Sequence, residues 1–394
     1  NSSKCLRGLS VTQKILRLFI YLFLDYKLYY INNLNFQKLI KKPKKTYNAM
    51  RSHFFSILYK KIYLNGIFKP KFKILKKYQI NKFNYKVYSI RNCRIYTNCV
   101  ENVSIIKNNQ LISEGSMQQI SGKLVNAKKN EVLKTGTPKF LKEIKGNVFN
   151  LTQGASGYDN YAHWLFDIVP KIKILSETYD LKKIDYFYFS KLNSFQKETF
   201  KIFKLNPNKI IDSKIYKHCL FEKLIFCTHP NYFKGTFSTA QNDLPKWIVN
   251  FLRKKLLKNS AKKIKSFKKI YIDRSDSQYN HCKIINDDEI KNHLRKRGFK
   301  IIKLSKFNLR KQISIFKNCN LVIGPHGAGM ANLIFCKRNT KVIEIQHFGH
   351  PNKVYQRISK FNKLKHHFIM LKKIKNEKKG DMFLEVRRLK NYLN

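Results

Sequence analysis

The stretch Leu321-Val322-Ile323-Gly324-Pro325-His326-Gly327-Ala328-Gly329-Met330-Ala331-Asn332 runs from a short apolar segment through a glycine-rich turn into a second apolar segment. A brief branched apolar run ended by turn residues reads as a strand buried on both faces. Glycines after such a strand let the backbone turn tightly and approach a ligand, and the free amides of the helix that follows make an anion site. A phosphate or pyrophosphate is the expected guest. No Gly-Lys-Ser/Thr follows, which excludes a Walker loop, and Asn332 stands where the third glycine of a dinucleotide fingerprint belongs. That asparagine argues against a nicotinamide-dependent oxidoreductase.

The same strand–helix alternation continues on both sides. Lys269 to Ile272 reads as a strand, Asn286-Asp287-Asp288-Glu289 as a capping box opening a helix that Gly298 closes, and Phe299 to Leu304 as a strand. Asn308 to Cys319 reads as a helix, Met330 to Cys336 as a short helix and Lys341 to Ile345 as a strand. This spacing predicts parallel βαβ units, hence an α/β, Rossmann-like domain over 266–394. Residues 85–257 predict a second α/β unit. Val87 to Ile90 and Arg94 to Tyr96 read as two short strands, and Gly146 to Leu151, Ile184 to Phe189 and Leu224 to Cys227 as three more. Between and after them, Asn160 to Thr178, Phe195 to Phe203 and Leu244 to Leu257 have helical spacing, the first interrupted at Pro170. Residues 1–84, broken at Pro43, Gly66 and Pro70, form a basic region expected to be helical with loops.

The 394 residues include 81 Lys+Arg against 23 Asp+Glu, a formal charge of +58, yet 43% are hydrophobic, with 30 Phe and 22 Tyr. That apolar content excludes a disordered tail, and the length allows two or three domains at about 150 residues each. The charge runs along the whole chain, and only Lys41-Lys42-Pro43-Lys44-Lys45 is dense. A dedicated nucleic-acid surface is therefore disfavoured, while an anionic membrane surface or a phosphorylated small molecule stays compatible. Ile15 to Leu24 is ten residues with Arg17 inside, too short for the roughly twenty of a membrane span; it reads first as a buried amphipathic helix, with peripheral contact at the anionic inner face of the membrane as the alternative. The eight cysteines contain no CxxC pair, which points to the cytoplasm. His218-Cys219 and Cys227-Thr228-His229 read as strand residues rather than a metal site. The chain begins with Asn1, so a signal peptide is neither assigned nor excluded.

Three further features carry chemistry. Arg274 falls just past the first strand of the C-terminal domain, where parallel sheets bind ligands, and its planar fork suits a diphosphate. Lys283 in the same loop offers a second cation. Glu344, one strand after the glycine turn, is placed either to accept ribose hydroxyls or to meet a buried ion-pair partner. His163 and Asp167 are four apart on a predicted helix beneath Gln153-Gly154-Ala155-Ser156-Gly157, so they share a face and suit general-base work.

Taken together, Asn160-Tyr161, His163-Trp164-Leu165 and Asp167, then Tyr271-Ile272 with Arg274, Ile284-Ile285-Asn286, and finally Gly324 to Gly329 with Asn332 and Glu344, resemble glycosyltransferase family 61. That family includes bacterial capsular-polysaccharide biosynthesis proteins and eukaryotic protein and xylan glycosyltransferases. The resemblance covers about residues 145–350. It implies a GT-B fold of two Rossmann-like domains facing across a cleft, and an inverting hexosyl- or pentosyltransferase with a nucleotide-sugar donor, a glycan or glycoconjugate acceptor, no cofactor and no metal. On that basis Arg274, Lys283, His326, Gly327, Ala328, Gly329, Asn332 and Glu344 are expected to bind the donor, and His163 or Asp167 to act as base. The chain departs from the family where arginines commonly precede Ile-Ile-Asn: here those places read His281-Cys282-Lys283.

Overall fold

A computed structural model describes residues 61–68, 74–80, 83–97, 102–120, 123–152, 160–233, 236–237, 244–261, 266–277, 283–348, 352–372, 374 and 381–393. Ile15 to Leu24, the Lys41 to Lys45 block, the 153–157 loop, His281 and Cys282 lie outside these residues. The N-terminal part is a mixed sheet of β1 (Phe83–Tyr96), β2 (Asn102–Lys107), β3 (Lys142–Asn150), β4 (Tyr186–Phe189), β5 (Ile210–Asp212) and β6 (His218–Cys227), ordered β5-β4-β3-β6-β1-β2. β3, β4, β5 and β6 are parallel; β1 runs antiparallel to β6, and β2 antiparallel to β1.

The second unit is α/β, and its sheet is mixed, parallel across β5-β4-β3-β6 and antiparallel at β1 and β2. Beyond β2 the chain turns back through Asn108 and Asn109, both at positive φ, into the antiparallel strand Gln110–Ile112, a two-residue hairpin with no crossover helix. The two short strands expected at Val87 to Ile90 and Arg94 to Tyr96 are one strand, β1, continuous through Asn92 at φ +50°. The described residues of 61–84 are also extended rather than helical, because Ile74–Ile80 finds an antiparallel partner in β1.

Helix α1 is composite, with an α turn Tyr161–His163, a π segment Trp164–Ile168 and an α segment Val169–Ser176. Helices α2 (Ser194–Ile202) and α3 (Lys246–Leu256) follow. α2 starts with the reciprocal Asn193–Gln196 capping box, which satisfies two otherwise orphan donors.

The C-terminal sheet contains β7 (Lys269–Asp273), β8 (Lys300–Lys303), β9 (Leu321–Pro325), β10 (Lys341–His347) and β11 (Lys365–Leu371), all parallel in the order β8-β7-β9-β10-β11. α4 (Asp287–Lys296), α5 (Leu309–Asn318), α6 (Val354–Asn362) and α7 (Val386–Leu393) accompany it. α4 has three acidic residues in its first turn and His293, Arg295 and Lys296 in its last, matching the helix dipole at both ends. From β7 the chain moves outward to β8 and then returns to the other side of β7 as β9. In such a doubly wound sheet the crevice outside the carboxyl ends of these strands is where ligands bind. Arg274 follows β7 there, and His326 follows β9.

Two local expectations change. Asn286 does not cap α4; its amide pairs instead with Leu384, donating to the carbonyl at 2.9 Å and accepting from the N–H at 3.1 Å. The C-terminal strand-like segment outcompetes the cap because it offers both halves of the amide a partner. The turn after β9 leads into a 3₁₀ segment, Ala328–Phe335, earlier and tighter than the helix expected from Met330. The two sheets share one apolar core that runs from Phe149, Trp164 and Phe200 to Ile272, Val322 and Met330. Among the described residues no helix is long and apolar enough to cross a membrane.

Candidate active site

α1 begins where the Asn160 side chain accepts from the amides of Ala162 and His163 at 3.0 and 3.1 Å. Trp164 anchors the next turn, giving its indole N–H to Thr199 at 3.1 Å and meeting the Phe189 and Phe200 rings. The Val169 amide then bonds Trp164 O, five residues back, which widens the helix one residue ahead of Pro170. Pro170 has no N–H for the Phe166 carbonyl, and that carbonyl accepts from Asn231 Nδ2 at 3.3 Å. The same Asn231 amide donates to Asp167 Oδ1. Asp167 Oδ2 lies 2.6 Å from His163 Nδ1, so the pair expected from the i,i+4 spacing forms. Its imidazole is 22% exposed and its carboxylate 5%.

Behind the pair is a buried polar shell. Lys171, on α1, gives Nζ to Thr152 O at 2.9 Å and Leu151 O at 3.3 Å; burial lowers its ammonium to about 8, against the opposing pull of Cys227 and Asp167. His229 is pushed down to about 4, chiefly by burial, and so is neutral near pH 7. Its Nδ1 accepts from the Asn231 backbone N–H at 3.0 Å. Asn231 and His229 were not read from sequence as site residues; the one signal they left is a polar Thr-His-Pro-Asn run directly after a parallel strand. Cys219 and Cys227 are buried thiols, and His218 faces Phe140 O and Arg94.

The second part of the site lies at the carboxyl ends of β7 and β9. Asp273 is pinned by Lys291 at 3.4 Å and by the Ser275 amide at 2.8 Å. Arg274 donates through Nη1 to the His326 carbonyl. Its guanidinium lies so close to the glycine turn that a Cβ on Gly327 would stand 2.7 Å from Arg274 Cζ. The Gly327 backbone is extended and imposes no glycine, so a side chain there would act by pushing the Arg274 guanidinium aside. Arg274 and Lys283 line one pocket of about 240 Å³ with Ser275, Ser277, Asp287 and Pro325. The Lys283 backbone is tethered to the C-terminal segment, its amide donating to the Asp381 carboxylate at 3.0 Å and its carbonyl accepting from the Met382 amide at 2.7 Å. His326, Gly327, Ala328 and Gly329 are partly exposed at the crevice. The leading amides of the 3₁₀ segment have no intrahelical acceptor, which leaves them available to an anion.

Two expected donor ligands are instead buried supports. Glu344 is 0% exposed in the middle of β10, with Oε1 2.5 Å from His326 Nδ1 and Oε2 3.0 Å from His366 Nε2. Burial pushes its carboxyl up, but the two histidines outweigh burial and hold it below the ordinary range. Its carboxylate is sealed from solvent, the buried ion-pair reading of the two open for it. Asn332 is also 0% exposed. It gives Nδ2 to Gly329 O and Gln312 Oε1, both at 3.1 Å, and accepts from the Tyr161 hydroxyl at 2.8 Å. Tyr161 stands two residues before His163, so Asn332 ties the start of α1 to the glycine turn. The 3₁₀ segment is held at its far end by Arg253, which donates to Ile334 O at 2.5 Å and Cys336 O at 2.7 Å.

Residues 161–343 match the family model described as Glycosyltransferase 61, a span that begins at the tyrosine of the α1 motif and ends in β10. No curated protein matches the chain. The matched segment, a little under half of the chain, holds the His163–Asp167 pair, Arg274, Lys283 and the whole glycine-histidine turn, and the match supports membership of glycosyltransferase family 61.

Proposed function

We propose that the chain moves a sugar from a nucleotide-sugar donor to a hydroxyl of a capsular or other cell-surface glycan, or of a glycoconjugate, with inversion at the anomeric carbon. In this reading residues 85–257 form the acceptor side of a GT-B enzyme and 266–394 the donor side. One observation carries it: the Tyr161–Asn332 hydrogen bond links the helix bearing a histidine–carboxylate pair to the anion-ready turn at the carboxyl end of β9. His163 is the base, because it is the more exposed member of its pair. Asp167, oriented by Asn231, holds the ring and stabilises the imidazolium that forms. The acceptor hydroxyl gives its proton to that imidazole, and its oxygen bonds to the anomeric carbon. The bond from that carbon to the diphosphate breaks, its electron pair leaving with the nucleoside diphosphate. Arg274, Lys283 and the amides at Gly327 to Gly329 offset the leaving charge, each well-placed donor contributing about 10²–10³ in rate. With two cations in this role the reaction is assigned as metal-independent. The enzyme is placed in the cytoplasm, its lysine-rich surface suited to the anionic inner face of the membrane.

Thermal unfolding of the full chain with UDP, GDP, CMP or TDP at physiological salt tests the donor site. A ligand at 100 times its Kd adds about 2.7 kcal/mol, so one nucleotide should raise the Tm selectively. Gly327→Val, whose side chain would displace the Arg274 guanidinium, should lose that rise. An equal rise with inorganic polyphosphate, or none at all, would replace the donor site with a merely cationic surface.

A further inference from the structure

Glu344 is an ionised carboxylate with no exposure to water, and a buried charge of that kind persists only with a compensating charge nearby. Each of its oxygens faces an imidazole, His326 Nδ1 at 2.5 Å and His366 Nε2 at 3.0 Å, while the Gln346 amide adds a neutral donor to Oε1 at 2.8 Å. His366 is 4% exposed and its Nδ1 lies 2.8 Å from Ser359 Oγ on α6, so the chain of groups ends inside the protein on that side. On the other side His326 is 30% exposed, and Nε2 meets no partner among the described residues. Facing it are Arg274, bound to its carbonyl, and Tyr355 from α6, whose ring lies 5.1 Å away and whose hydroxyl is held neutral by burial and by Glu344. The array therefore holds one buried negative charge between two imidazoles, only one of which opens on the crevice.

We propose that His326 meets a bound phosphate as an imidazolium: Glu344 holds Nδ1–H, Nε2–H donates to a phosphate oxygen, and His366 is the alternative counter-ion when the crevice is empty. Anion binding then draws one proton onto His326 whenever that ring was neutral beforehand, the proton coming from solvent. His366 is thus a positioning residue that acts through Glu344. This assignment rests on the donor-site reading above and adds to it the group that meets the phosphate.

Calorimetric titration of UDP and of inorganic pyrophosphate into the full chain, in two buffers of different ionisation enthalpy between pH 6 and 8.5, counts the protons taken up. Binding should weaken as pH rises, by up to about tenfold per unit for one linked proton. His326→Gln keeps an amide donor without the charge, so binding should be weaker and flat with pH. His366→Gln leaves Glu344 to His326 alone, so binding should stay strong to higher pH, whereas a purely structural His366 would weaken it equally throughout. The same pH dependence in His326→Gln as in the native chain overturns the proposal. Imidazole nitrogen NMR spectra without ligand decide the matter separately. At pH 7 the native chain should show a doubly protonated ring at position 326 or 366, and Glu344→Gln should show none. Two neutral rings in the native protein overturn the charge array even if UDP binds. A charged ring with no binding of either probe would confine the array to an internal ion pair and remove both the donor site and the phosphate-facing role of His326.

Discussion

The molecule contains two histidine–carboxylate pairs of nearly equal length, His163–Asp167 at 2.6 Å and His326–Glu344 at 2.5 Å, and they are supported in opposite ways. Asp167 receives its second partner from a neutral amide, Asn231; Glu344 receives its second from another imidazole, His366. Asn231 brings no charge to the Asp167 carboxylate, and the cation that acts on Asp167, Lys171, sits in the buried shell with its ammonium on the Thr152 and Leu151 carbonyls. The other carboxylate lies between two imidazoles, of which only His326 opens on the crevice. In the function proposed above, it is this difference in support, rather than the pair itself, that distinguishes the base from the phosphate-facing group.

The largest effect that sharpens this contrast comes from His163→Ala. Transfer should fall by about 10²–10⁴, the range of general-base catalysis, with nucleotide-induced stabilisation unchanged. Kinetics beside thermal shifts would measure this, and a loss of nucleotide binding in this variant would erase the division of labour.

The next effect is on stability. An unfolded His229 takes a proton below its ordinary 6.5, whereas the folded one does not until about 4. Within that window the unfolded chain binds more protons, so stability drops as pH falls, by up to about 3 kcal/mol from this group. Denaturant unfolding at pH 6.5 and 4.5 should show the drop, and His229→Gln should reduce it while leaving the share of His218, which burial and Arg94 push down to about 3.

Tyr161→Phe is the smallest of the three. It strips the hydroxyl from Asn332 Oδ1, a buried acceptor, and should cost about 1–3 kcal/mol by denaturant unfolding. If the bond also registers α1 against the glycine turn, transfer should fall while nucleotide binding persists.

Much of this was legible in the chain because it is local. The His163–Asp167 pair follows from a four-residue spacing, which holds across the π segment, and the parallel sheet follows from alternating strand and helix signals. The glycine turn is legible from its backbone, whereas the Arg274 guanidinium lying against Gly327 is a contact only the tertiary structure shows. The failures share a cause. Glu344 and Asn332 carry polar side chains that sequence assigns to a ligand, but their partners come from β11, α5 and α1, far along the chain. Asn286 carried a valid local capping pattern and lost it to a partner 98 residues away. The β11 strand was hidden by its start, Lys365-His366-His367, three residues with no strand signature.

The amino-acid order by itself determined the α/β class of the C-terminal part, the His163–Asp167 pair and the position of the anion-ready turn, since each depends on spacing within one or two turns of chain. Only the tertiary structure decided which polar residues face the crevice and which are sealed beneath it. A buried charge or amide is placed by the partners that satisfy it, and for Asp167, Glu344 and Asn332 those partners converge from separate elements only after the sheets have packed.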